Sequence, residues 1–169
     1  WRRLVTDTLT RGAANQAGAH INKNAYAEAQ DFLPIKGIDY VEFQVANDAL
    51  TVVVNKDNDW VDCLTTDQLK KIWEPDSKVN SWKDLDASFP DEEIKLFGPG
   101  TDSGTFDYFT GEINGEEGAS RSDYAASEDD NTIVTGVAGE KGGLGYFGFS
   151  YFEENMDTLK ALAIDAGDG

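Results

Sequence analysis

One stretch of the chain gathers groups that could hold an anion: Phe97-Gly-Pro-Gly-Thr-Asp-Ser-Gly-Thr-Phe106. Ile94-Lys-Leu-Phe97 reads as a strand, and a helix carrying Phe106, Tyr108 and Phe109 is expected from Ser103 or Gly104. The first backbone N–H groups of a helix have no internal acceptors and carry partial positive charge. A bare anion can therefore sit against them. Gly104 lets a ligand approach the backbone, and the hydroxyls of Thr101, Ser103 and Thr105 add donors. This is a cradle for a tetrahedral oxyanion; an ordinary strand-to-helix turn with a hydroxyl cap is the alternative that local chemistry leaves open. The spacing is neither a P-loop, since no Gly-Lys-Ser/Thr follows, nor a Gly-x-Gly-x-x-Gly dinucleotide turn.

The elements that would position this stretch alternate in type. Leu4, Val5, Thr8 and Leu9 share a helical spacing, and Asn24 to Leu33 reads as a helix ended by Pro34. Asp39 to Val45 alternates like a half-buried strand, and the β-branched run Leu50-Thr-Val-Val-Val54 reads as a buried one. Thr65-Thr-Asp-Gln68 is a capping box opening a helix through Leu69, Ile72 and Trp73, stopped by Pro75. Ser81-Trp-Lys-Asp84 opens a short turn or helix. Ser127-Glu-Asp-Asp130 reads as a further capping box before Ile133, Val134 and Val137. Gly142 to Gly148 is a turn feeding a strand, Phe152 to Leu159 a helix, and Ala161 to Asp165 a last strand. Strands alternating with helices indicate an α/β fold.

The chain has 169 residues, 32 of them acidic and 14 basic, for a formal charge of −18. Such a surface repels nucleic acid and anionic lipid, and no stretch approaches the roughly 20 apolar residues of a membrane span. His20 and Cys63 are the only residues of their types. Multi-histidine metal sites and intrachain disulfides are thereby excluded, and Cys63 is expected as a buried free thiol. No metal-ligand cluster and no paired nucleophile and base stand out, which argues against an enzyme acting on phosphate esters. No cofactor is expected.

Gly98 to Phe109 resembles the phosphate loop of the phosphate-binding proteins of ABC transporters. Gly118-Ala-Ser-Arg-Ser-Asp-Tyr-Ala-Ala-Ser-Glu-Asp-Asp-Asn131 is similar to a second block of that family. Ala49 to Asn55, Leu69 to Trp73 and Gly145 to Phe149 match further blocks in the family's order. The resemblance implies a type II periplasmic-binding-protein-like α/β fold of two lobes that close on phosphate. Thr101, Ser103, Gly104 and Thr105 would supply donors, and Arg121 would be a charge-assisted partner, oriented by Asp123. From the residues alone, Arg121 reads as a surface ion pair. Asp102 would either accept a proton from hydrogen phosphate, and so reject sulfate, or cap the helix facing away.

The family's N-terminal lobe segment has no counterpart in this chain, so the resemblance implies one complete lobe and one truncated one. The expected division is a partial first lobe over 1–50, a second lobe with the loop over 51–148, and a return to the first lobe over 149–169. The implied function is that of a periplasmic or extracellular phosphate receptor, free or membrane-anchored, whose partners are inorganic phosphate and a membrane permease. A non-binding scaffold or interaction protein derived from the family is the alternative.

Overall fold

The structure is a computed structural model. It describes residues 49–167, together with two backbone segments nearer the N-terminus. The chain divides into two compact units, residues 6–48 and residues 1–5 with 49–169. In the first unit, β1 (Asp7–Thr8) pairs antiparallel with β2 (Asn47–Asp48). The helix expected over 24–33, the strand over 39–45 and His20 lie outside the described residues.

The second unit is built on β3 (Leu50–Asn55), where three consecutive valines are buried. Because side chains alternate across a strand, Val52 and Val54 enter one core cluster and Val53 the other. A run apolar on both faces is what a strand covered by helices on both sides requires. Two strands flank β3 antiparallel, β7 (Gly143–Gly148) and β8 (Leu159–Ala161). Beyond β7 lie β5 (Lys95–Pro99) and the edge strand β6 (Ala125–Ser127), all three parallel, giving the order β6-β5-β7-β3-β8. A separate parallel pair joins β4 (Cys63–Thr65) to β9 (Ala163–Asp165).

Helices α1 (Thr66–Trp73), α2 (Trp82–Leu85) and α3 (Gly104–Asn114) bury Leu69, Ile72, Trp73, Trp82, Phe109 and Ile113 on the Val52/Val54 face. Helices α4 (Asp130–Gly139) and α5 (Phe149–Glu153) bury Ile133, Val134, Val137 and Phe152 on the Val53 face. The result is a mixed sheet between two helical layers, as the alternation of elements anticipates. The anticipated capping box at α1 is formed, with Thr65 as cap, and Ser81 caps α2 with a box of the same kind.

Three local expectations need correction. Asp129, not Ser127, caps α4; its carboxylate accepts the Asn131 N–H, while Ser127 ends β6 and bonds the Asp129 backbone. The helix expected over 152–159 ends at Glu153, because Thr158 and Leu159 turn back onto the Asn155 carbonyl and Leu159 then pairs with Asn55. Cys63 is exposed rather than buried: β4 turns Leu64 inward and its neighbours outward. Residues 149–167 stay in the same compact unit as 51–148, since β8 adds to the same sheet through β3.

Candidate anion site at the head of helix α3

β5 carries the chain to the sheet's rim over an aromatic floor. Trp73 meets Phe109, Tyr124 and Tyr146 edge-on at 5.7, 5.4 and 5.0 Å, and Phe109 stacks on Tyr146 at 3.8 Å. A Cβ on Gly98 would touch Tyr146, Tyr124 and Trp73, so the strand lies directly on these rings. The Tyr124 hydroxyl donates to the Pro99 carbonyl at 2.7 Å. Burial, and then the charge of Glu128, push the Tyr124 phenol pKa up; burial does the same to Tyr146.

The Gly100 N–H prolongs the ladder to the Ser127 carbonyl (3.2 Å), and the Ser103 N–H closes a turn on the Gly100 carbonyl (3.1 Å). Ser103 is then the N-cap of α3, its Oγ accepting the Thr105 N–H at 3.2 Å. Among the described residues the N–H groups of Gly104 and Phe106 have no acceptor, and the hydroxyls of Thr101 and Thr105 have no partner. Thr101, Asp102 and Gly104 are exposed, Ser103 and Thr105 half-buried. The loop therefore brings five of the anticipated residues together at one open helix end.

Gly104 gives a telling negative. Its φ lies outside the left-handed region, and among the described residues a Cβ there would meet nothing within 4 Å. Neither backbone strain nor packing against the described residues accounts for glycine, and its missing side chain leaves room for a ligand to approach the backbone. Asp102 does not cap the helix, because Ser103 does; its carboxylate makes no hydrogen bond among the described residues.

Arg121 lies elsewhere. It is 6% exposed, follows the C-terminal end of α3, and its backbone N–H donates to the Trp73 carbonyl. Its Nε and Nη2 grip the two Asp123 oxygens at 2.6 and 2.8 Å, and Nη1 donates to the Ile72 and Val79 carbonyls at 3.1 and 2.9 Å. The remaining Nη2 hydrogen faces Asn80 Oδ1 at 3.5 Å. All five donors of the guanidinium are directed at protein acceptors. The bond from Arg121 holds the Asp123 carboxyl below the usual carboxylate range. The pairing with Asp123 was legible in the sequence, but it serves to tie the end of α1 to the loop after α3.

Glu128 went unread by sequence. Its carboxylate packs on Gly100, at the rim of the loop. The only hint is its place one residue after a strand parallel to β5. No group of three or more potential metal ligands exists among the described residues, and no described helix is long and apolar enough to cross a membrane.

A turn at the carboxyl end of a sheet strand, feeding the head of a helix in a three-layer α/β unit, is the kind of scaffold that can present backbone N–H groups to an anion. The chain belongs to the PBP superfamily, whose domain matches residues 7–168. It is 50% identical over 132 residues to Protein SphX of Synechocystis, covering 77% of this chain and 39% of that one. It is similar to the crystal structure of a possible phosphate binding protein from Planctomyces limnophilus, at 52% identity and a TM-score of 0.74, over 89% of this chain and 51% of that one. A putative phosphate ABC transporter substrate-binding protein from Clostridium perfringens, solved with bound phosphate, matches at 28% identity and a TM-score of 0.59, over 70% and 45%. The chain spans about two fifths of the length of the curated relatives it matches.

Proposed function

We propose that the head of α3 binds inorganic phosphate, and that the chain is part of the extracytoplasmic receptor of an ABC-type phosphate importer, with the membrane permease as its partner. One observation carries this reading: free N–H groups and hydroxyls converge at Thr101–Thr105 while the cap of the helix is already satisfied. The Clostridium perfringens relative, which holds phosphate, supports the choice of ligand. Binding is reversible and makes or breaks no covalent bond. The formal charge of −18 does not oppose it, because exposed charges beyond about 8 Å are screened at physiological salt. Asp102 beside the loop would favour an anion that brings a proton.

Calorimetric titration with phosphate, with sulfate as the comparison, tests the reading. Phosphate should bind, and Thr105→Ala should weaken it about 10-fold, the loss of one hydrogen bond to a charged group. No heat and no thermal stabilisation at millimolar phosphate would overturn the reading in favour of a scaffold that binds no anion.

A further inference from the structure

We infer that Glu128 is a specificity-determining residue that holds anion affinity down at the head of α3, in proportion to the anion's charge; the inference rests on the phosphate reading. Ser127 accepts the Gly100 N–H, so the next residue leaves the sheet beside the loop. A Cβ on Gly100 would lie 1.7 Å from Glu128 Oε1 and 2.7 Å from its Cδ. The carboxylate thus fills the space that glycine vacates, and any larger residue at position 100 would expel it. This gives Gly100 a reason that backbone conformation does not, since its φ is not in the left-handed region.

The charge there is uncompensated. Among the described residues Glu128 has no hydrogen bond and no cation within ion-pair distance, and Asp129 and Asp130 beside it have no cation either. Neighbouring groups feel it: burial and then Glu128 push the Tyr124 phenol up, and burial, then Asp129, then Glu128 push the Asp130 carboxyl up. The Gly100–Ser103 turn keeps Gly100 within about 7 Å of the cap. A carboxylate on Gly100 therefore stands within about 15 Å of an anion on the Gly104 N–H, inside the roughly 30 Å over which charges interact in dilute salt. Repulsion scales with ligand charge, so a dianion is disfavoured twice as strongly as a monoanion.

The test is phosphate affinity of the full chain at low ionic strength, for wild type, Glu128→Gln and Glu140→Gln. Glu140 follows the far end of α4 and supplies an equal change in net charge. Glu128→Gln should bind about 3- to 10-fold tighter, with the gain shrinking towards one at high salt; Glu140→Gln should match wild type. The Tyr124 ionisation midpoint, which needs no ligand, should fall in Glu128→Gln alone. Unchanged or weaker binding by Glu128→Gln overturns the inference and leaves the phosphate reading standing, with weaker binding marking the carboxylate as an acceptor for the ligand's proton. Absence of binding by every variant, wild type included, removes both.

Discussion

At the N-terminal end of α3, Ser103 satisfies one N–H and leaves those of Gly104 and Phe106 without an acceptor among the described residues. At the other end, one helix length of about 16 Å away, the side-chain donors are already taken up by protein acceptors, although Asn114 Oδ1 is a buried acceptor without a partner among the described residues. Gly115 closes the helix in the left-handed conformation, at φ 89°, with its N–H on the Thr110 carbonyl. Thr110 Oγ1 accepts the Gly118 N–H, and Asn114 donates to the Trp73 and Ala119 carbonyls. Arg121 completes the set with Asp123 and two more carbonyls. Polar side chains occur at both ends, so their types do not reveal which end meets a ligand. What separates them is whether the fold has already used their donors.

The largest expected effect tests the saturated end. Arg121→Ala leaves the buried Ile72 carbonyl and the half-buried Val79 carbonyl without this donor and should cost about 2–4 kcal/mol in urea unfolding. Its folded fraction should keep wild-type phosphate affinity. A variant that keeps its stability and loses binding would return Arg121 to the ligand and erase the contrast between the ends.

Gly104→Ala tests the open end. The fold has room for the methyl group, so stability should change by less than about 1 kcal/mol. Phosphate affinity should fall about 10-fold, because the methyl group keeps the anion off the backbone. Equal affinity by calorimetry would mean the ligand does not approach there.

The smallest effect concerns Asp130, in the first turn of the neighbouring helix α4. Burial first, then the charges of Asp129 and Glu128, raise its pKa above 3.8. The folded state therefore holds that proton more tightly than the unfolded state. From about the ordinary carboxylate value up to the raised one, stability should fall as pH rises. Asp130→Asn should flatten this slope in thermal melts across mildly acid pH; an unchanged slope would show that the site is as well solvated as in the unfolded chain.

The sequence was most legible where one local interaction decides the structure. Thr65 and Gln68, Ser81 and Asp84, and the hydroxyl of Ser103 each fix a helix start within a few residues, and each start is found. Leu50–Asn55 was legible because burial on both faces demands a continuous apolar run. Less legible were elements set by partners distant in sequence. β6 is Ala-Ala-Ser, with no strand signal of its own, and exists through its pairing with Phe97–Pro99. Leu159 follows helical spacing from Phe152, yet pairing with Asn55 draws it into the sheet. For the site, the loop 101–105 could be read because a helix start and its donors are local. The fate of Arg121 could not, since three of its acceptors, at residues 72, 79 and 80, come from a segment far upstream.

The placement of β3 has a consequence for how this unit is made. The first described strand of the unit to leave a ribosome is an interior one, hydrogen-bonded on both sides to β7 and β8, which emerge well after it. Until they arrive, Val52, Val53 and Val54 have unpaired edges and no covering sheet, a state prone to association with other chains. Closing so long a loop before any pairing rewards it also slows folding. Completion of the sheet therefore waits for residues 143–161, and until then the nascent chain depends on whatever shields that apolar strand.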